Sequence, residues 1–523
     1  MSNIFPKLCI VFLLSGVAFT ACKKDKIFRD ENTPTATTDR NELTKDSMFL
    51  YAKELYLWNN TLPSYKAFSP RTKFKSSSDN LTNLNNELFA ITRYAINSLT
   101  GEPYEYNIDY PDETKYSFIE DLEAQGKLAF VKNAESSVDF NGEGNDFGLG
   151  VVLIGNAQQY KAFLRFASPG SPAILAGLDR GTQITKINGR SFGTNYDSEE
   201  SFLNSALDAN TITIAGTKRN GTSFNVTLTK TKYNSSPIFK DTVLINGAKK
   251  IGYLAYARFT DDNNSDLPLT NVFAEFSNAG VTDLVIDLRY NPGGYVSTAE
   301  HLLNLIAPRN LNGKTMFVET YNATLQAGKA SILRNQPLRD QQGNLVYKNG
   351  KLENYADNVS YKKEDNITLF NKEGSLDNIA KVVFITTDGT ASASELVINS
   401  LKPYLDIKTV GATSYGKPVG FFPIRIDKYD IYMSSFSTTN ADGDGNYFAG
   451  ITPDKEADDD LSKDFGNPNE TSLATAVSYI VNGTFANTSN GGRTVNSVKS
   501  ISDSKTLFEP TVFKGMIGTP KTR

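Results

Sequence analysis

The period of the apolar positions changes along the chain. Met48, Tyr51, Ala52, Leu55 and Trp58 fall on one helical stripe, and Asp46 or Ser47 offers a side-chain oxygen to cap its start. A second helical stretch is predicted over 84–99. Beyond residue 140 the pattern shortens. Strand-like runs at 148–154, 160–166, 183–187, 211–215 and 223–229 alternate with turns, and one helix is predicted over 198–207. From about residue 236 the texture becomes α/β. Residues 250–257 and 281–288 read as strands, and the second is apolar enough to be covered on both faces. It runs into the turn Asn291-Pro292-Gly293-Gly294 and then a helix, where Ser297-Thr298-Ala299-Glu300 has the form of a capping box. The polar stretch 309–378 reads as an insertion, and residues 381–386 resume the strand pattern.

Length and charge narrow the classes. A chain of 523 residues is too long for one hydrophobic core, since domains hold roughly 100–200 residues. With 39% hydrophobic and 21% charged residues it is globular rather than disordered. A net charge of −4 without a Lys/Arg-rich block gives no footprint for a nucleic-acid partner. The expected organisation is an N-terminal helical domain over 43–135, a β-rich domain over 140–233 and an α/β domain over 236–482 containing the insertion. The whole is thus a multidomain α+β chain, with an unassigned C-terminal extension over 485–523.

The first residues have the form of a targeting signal. Lys7 supplies positive charge, and residues 8–19 form an apolar run too short to span a bilayer. The run ends in Phe19-Thr20-Ala21-Cys22, which resembles a bacterial lipobox, although Phe19 stands where Leu is usual. That resemblance implies a signal peptide over 1–21, a lipid on Cys22 and a polar tether over 22–42. The expected location is the bacterial cell envelope, and Lys23 in place of Asp favours the outer membrane. Cys9 and Cys22 are the only cysteines, so a mature chain would hold no thiol for a disulfide, a metal site or a cysteine nucleophile.

Two further resemblances carry function. Phe147-Gly148-Leu149-Gly150-Val151, the run 170–173, Ala176-Gly177-Leu178, Gly181 and Ile187-Asn188-Gly189 together resemble a bacterial PDZ domain. This implies that Gly148, Leu149, Gly150 and Val151 meet the carboxylate of an extended peptide added to a sheet edge. Farther on, residues 386–397 place Ser392 where a strand ends and small residues open a helix. Residues 409–417 form a second strand entering a loop that presents Lys417. With 287–294 and Gly450-Ile451-Thr452-Pro453-Asp454, these segments resemble the C-terminal processing, or tail-specific, peptidase family in its motif order.

The peptidase resemblance implies a crotonase/Clp-like α/β core with Ser392 as nucleophile and Lys417 as general base. It also implies an oxyanion site built from the N–H groups of Gly293 or Gly294 and of Ala393. Glu395 occupies one family position for a third residue that orients the lysine. The other such position, four after the lysine, holds Phe421 where Gln is expected, so Glu395 is read as a support to a Ser–Lys dyad.

The chemistry agrees with this reading. A serine hydroxyl needs a base, and the single histidine, His301, falls on a helical packing face. A lysine can serve if burial lowers its pKa, and Pro418, Val419, Phe421 and Phe422 offer an apolar surround. Asp442, Asp444 and Asn446 have calcium-loop spacing, but Tyr447 stands at the glycine position, so a turn is expected. Neither a metal nor an organic cofactor is implied. The expected partners are protein or peptide substrates, and oligomeric state stays open. The rival reading is a catalytically inactive, PDZ-type peptide-binding envelope lipoprotein.

Overall fold

The computed structural model describes residues 31–108, 110–123, 138–340, 343–485, 515–518 and 521–522. The signal pattern over 1–21, the lipobox Cys22 and most of the extension over 485–523 lie outside the described residues.

The first helix, Arg40–Leu55, starts earlier than the apolar stripe suggests. Asp39 is its N-cap and accepts the Asn41 and Glu42 N–H groups. Asp46, expected as the cap, instead lies buried inside the helix. It accepts Arg71 Nε at 3.0 Å and the Tyr65 hydroxyl at 2.6 Å. Polar residues that find partners elsewhere in the fold thus add turns that a periodicity search does not see. The second helix, Asn80–Thr92, is capped by Asp79 and stops short of 99. The buried faces of both helices, including Phe49, Leu55, Leu84 and Leu88, belong to the same apolar cluster as the α/β sheet.

Residues 149–229 form an antiparallel sheet in the order Leu149–Asn156, Gln159–Ala167, Gln183–Ile187, Thr211–Thr217, Ser223–Thr229. The helix Tyr196–Asp208 packs on it through Leu203 and Ala206. This module has its own core, with Leu164, Leu178, Ile212 and Ile214 fully enclosed. Leu149–Asn156 is an edge strand of the sheet.

The six-stranded central sheet runs in the order Ile238–Asn246, Lys249–Tyr256, Asp283–Asp287, Lys381–Thr386, Asp406–Gly411, Lys455–Glu456. The first pair is antiparallel and the rest are parallel. Alternate residues point to opposite layers. Leu284, Ile286, Val382 and Phe384 face the helices Asp262–Ala279, Val296–Ile306 and Ala393–Leu401. Val285, Val383, Ile385 and Val410 face the helix Thr471–Asn482. Both faces are covered, which is why these strands read as unbroken apolar runs.

Two details differ from the sequence reading. The helix Val296–Ile306 begins at Tyr295 without a side-chain cap, and Ser297 lies within its first turn, bonded to Asp262 at 2.9 Å. The stretch read as an insertion builds a second sheet. Its strands Thr315–Tyr321 and Ile367–Leu369 pair with each other, and Thr315–Tyr321 pairs with Phe436–Thr439. Buried Met316, Phe317 and Tyr321 anchor this sheet to the main core.

Candidate active site

Three loops leave the carboxyl ends of adjacent parallel strands, where open α/β sheets place their ligands. They follow Asp283–Asp287, Lys381–Thr386 and Asp406–Gly411, and they carry Gly293, Ser392 and Lys417 respectively. Cross-bonds hold them together. Ala391 N–H and the Ser394 hydroxyl donate to the Asn291 carbonyl at 3.1 and 3.0 Å, and Tyr415 N–H donates to Thr390 O at 2.9 Å.

Ser392 is the N-cap of the helix Ala393–Leu401, with φ 60° and ψ −110°. A non-glycine residue in that region costs roughly 1–3 kcal/mol and is held there by its surroundings. Its N–H donates to Glu395 Oε2 at 2.8 Å, whereas its Oγ is buried without a hydrogen-bond partner. Gly293 packs directly on it. A Cβ at position 293 would stand 2.9 Å from Ser392 Cβ and 3.0 Å from Ala391 O, and φ is +101° there, so only glycine fits.

Lys417 is fully buried. Its Nζ lies 4.1 Å from the Phe421 ring centre and 5.6 Å from that of Tyr116, and it donates to Tyr116 O at 3.5 Å. Burial pulls its pKa from 10.5 down to about 7, against the opposing pull of the Glu105 and Glu395 carboxylates. Phe421, at the position expected to hold Gln, therefore contributes an aromatic wall that keeps water from the amine.

Glu395 connects the two loops. Besides Ser392 N–H it accepts the Gly416 and Lys417 N–H groups at 2.7 and 2.8 Å and the Ser414 hydroxyl. Burial raises its pKa, and these donors pull in the other direction. Glu395 thus grips the backbone of both loops rather than the ammonium, which makes it a positioning residue. Glu395→Gln leaves some of these buried donors without an acceptor, at about 1–3 kcal/mol each. It also removes a negative charge that favours protonated Lys417, so the pH midpoint of any Lys417-dependent rate should shift below about 7. A pH–rate profile of the variant checks this, because a purely structural loss would lower the rate without moving the midpoint.

The remaining expected residues fall as follows. Ala393 stands at the first position of the helix, where N–H groups lack intrahelical acceptors. Gly293 N–H is already accepted by Asn291 Oδ1 at 3.0 Å, so a substrate oxygen would compete with that side chain for it. Gly294 lies in the short strand Gly293–Tyr295. Residues 450–454 buttress the lysine loop. Ile451 N–H donates to Ser414 Oγ at 2.7 Å, and a side chain at Gly416 would collide with Gly450 and Phe448. Gly148, Leu149, Gly150 and Val151 are placed in the β-module, outside this cluster. His301 contacts Glu373 at 2.6 Å and Thr270 at 3.1 Å and takes no part.

The sequence reading missed Glu105, Tyr116 and Asn291. Glu105 and Tyr116 come from the stretch assigned to the helical domain. Tyr116 reaches the lysine loop through its hydroxyl, 2.6 Å from Gly416 O. Glu105 is fully buried and accepts Ser117 N–H at 2.8 Å and the Ser434 hydroxyl at 2.9 Å. No local pattern marks either residue. Asn291 was visible within its motif, but only the fold shows its side chain at Gly293.

A buried ion-pair network supports the first loop from behind. Arg289, 2% exposed, contacts Asp287 at 2.8 Å, Asp459 at 2.6 Å and Glu470 at 3.0 Å. Arg180 of the β-module reaches the same Asp459 and donates to the Tyr290 hydroxyl at 2.7 Å. The module is thereby tied to the loop that carries Gly293.

A buried amine near neutrality, an unsatisfied serine hydroxyl and glycine-lined backbone are the parts needed for acyl transfer. Comparison with known proteins agrees. The chain is 26% identical over 257 residues to the carboxy-terminal processing protease CtpB of Bacillus subtilis (strain 168), covering 47% of this chain and 42% of that protein. It is 25% identical over 295 residues to a CtpA-like serine protease of Staphylococcus aureus (strain N315), covering 54% and 47%. The chain therefore spans about half the length of the curated relatives it matches. A Bacteroides fragilis NCTC 9343 protein assigned to the S41 proteases shares the fold with a TM-score of 0.54 at 22% identity, over 86% of this chain and all of that one. Residues 250–457, which carry Gly293, Ser392 and Lys417, match the model of peptidase family S41.

Proposed function

We propose that this protein is a serine endopeptidase working through a Ser392–Lys417 dyad. The observation that carries the reading is the desolvated Lys417 amine, on a loop whose backbone Glu395 ties to the strained Ser392 backbone. Ser392 Oγ attacks the scissile carbonyl as its proton passes to Lys417 Nζ. The oxyanion is met by N–H groups of Ala393 and of Gly293 or Gly294, each such donor being worth about 3 kcal/mol of barrier. Collapse breaks the C–N bond, and Lys417 returns the proton to the leaving amine. Water then hydrolyses the ester, with Lys417 again as base. Ser392 Oγ and Lys417 Nζ are not hydrogen-bonded to each other here, and such contacts commonly tighten only around substrate.

The β-module serves as a PDZ-type reader of substrate tails. Two features support this: the edge strand Leu149–Asn156, and an apolar pocket under the helix Tyr196–Asp208, lined by Leu149 and Val151 of that strand, by Leu203 and Leu207, and by Ile184 and Ile212 of inner strands. The signal pattern ending in Cys22 assigns the enzyme to the cell envelope, held by a lipid. No helix among the described residues is long and apolar enough to cross a membrane.

The test is cleavage of an unfolded protein with an apolar C-terminal tail, together with labelling by an organophosphonate. Turnover and a mass increment on the peptide containing Ser392 are expected in the parent, and neither in Ser392→Ala. Turnover that persists in Ser392→Ala places the chemistry elsewhere.

A further inference from the structure

One segment of the chain lies where a substrate would. Gly515–Ile517 runs parallel to Gly293–Tyr295, with Gly293 opposite Gly515, Gly294 opposite Met516 and Tyr295 opposite Ile517. On its other side it pairs with Phe421, which donates to Met516 O at 3.1 Å and accepts Gly518 N–H at 3.0 Å. The segment therefore closes a three-strand layer between the oxyanion strand and the aromatic wall of Lys417. The Gly515 carbonyl oxygen lies 2.7 Å from the point where a Cβ on residue 293 would stand, and Ser392 Cβ lies 2.9 Å from that same point. A peptide carbonyl is thus presented beside the serine.

The side chains of the segment are seated as well. Met516 is fully buried in the main core. Ile517 packs with Phe421 and Tyr432, and Phe118, Phe140 and Tyr295 line the same aromatic pocket. A Cβ at Gly518 would come 2.8 Å from the Phe436 ring, so a small residue is required there. Lys521 adds two bonds of 3.0 Å, to Ile367 O and Thr368 Oγ1.

We propose that the cleft between Gly293–Tyr295 and Phe421 is the peptide-binding groove and that the chain's own 515–518 segment fills it in cis. The inference rests on the endopeptidase reading. Substrates are extended, apolar peptides that reproduce this pairing, with large apolar side chains at the Met516 and Ile517 positions and a small residue next. They bind by strand addition, so main-chain bonds supply affinity and the two pockets supply selection. The docked segment competes with them, and apparent affinity falls by the fraction of molecules whose groove is open.

The experiment uses the full chain with Met516→Asp or Ile517→Asp. Either substitution puts a carboxylate into an apolar pocket and expels the segment without altering the groove. Hydrogen exchange of the Phe421 amide reads occupancy directly, and organophosphonate labelling of Ser392 reads access. Both should accelerate about tenfold or more in the two variants. A synthetic peptide of residues 512–520 should restore protection.

Unchanged Phe421 exchange in both variants overturns the proposal. Protection in the parent that disappears on dilution overturns the cis form in favour of a segment from a second copy. An opened groove with Ser392 still unlabelled supports the docking and overturns the hydrolase reading, so the two failures are distinguishable.

Discussion

Lys417→Met should lower turnover by about 10,000-fold or more while leaving a folded and more stable protein. The rate falls because the desolvated amine of the site is removed, and a missing base leaves just the contributions of binding and the oxyanion donors. In the parent, kcat/KM should rise about tenfold per pH unit below 7 and level off above it, since neutral Lys417 is the competent form. A midpoint near 10 would sink the assignment.

The stability change has the opposite sign to the activity change. The unfolded lysine keeps its proton up to about 10.5, while the folded one gives it up near 7. Between these values the unfolded chain binds the extra proton, so parent stability rises with pH across that window. Below pH 7 the fold carries the full cost of a buried ammonium. Met removes that cost, and the gain should be on the order of 5 kcal/mol at pH 6, with this contribution vanishing above about 10.5. Urea denaturation at pH 6 and 10 tests both limits.

Arg289→Met should be the most destabilising substitution near the site, costing about 3–5 kcal/mol at pH 7. It leaves buried Asp287 and Glu470 without the guanidinium that serves them, and half-buried Asp459 with Arg180 alone. Burial raises the pKa of Asp459, but Arg180 and Arg289 outweigh it and hold the carboxyl well below its usual range. Glu470 is likewise lowered, burial being outweighed by Arg289. Their contribution is present above the unfolded carboxylate range and lost as pH falls through the folded values. The deficit of the variant should therefore be largest above pH 5 and narrow below about 4. By contrast, Arg219→Ala breaks a part-exposed pair with Asp464 and should cost at most about 1 kcal/mol. Equal urea midpoints for parent and Arg289→Met would refute the network's role. Because Asp459 also holds Arg180, the same substitution should loosen the β-module from the loop that carries Gly293.

Several elements were legible because their cause is local. The run 281–288 announces a doubly covered strand by composition alone, and the structure finds it in the centre of the sheet. The alternation over 149–229 gives antiparallel strands because one face of each must be apolar. Ser392 and Lys417 stand in loop motifs legible in the sequence, and the apolar neighbours of the lysine foretell its burial. Where local signals failed, distant partners had taken over. Asp46 looks like a cap until Arg71 and Tyr65 neutralise it inside the helix. The stretch 309–378 looks polar because its sheet is completed by Phe436–Thr439, which no local window contains.

The sequence by itself determined the sheet, the order of the loops at its carboxyl ends and the residue types that can perform acyl transfer. Each depends on periodicity, backbone permissiveness or side-chain chemistry, all of which reside in short segments. The tertiary structure alone decided what surrounds those groups. It brought Tyr116 and Glu105 to Lys417, turned Glu395 toward the backbone of both loops and laid Gly515–Ile517 beside Gly293–Tyr295. Desolvation and strand pairing between remote segments set these features, and both are properties of the packed molecule rather than of any stretch of chain.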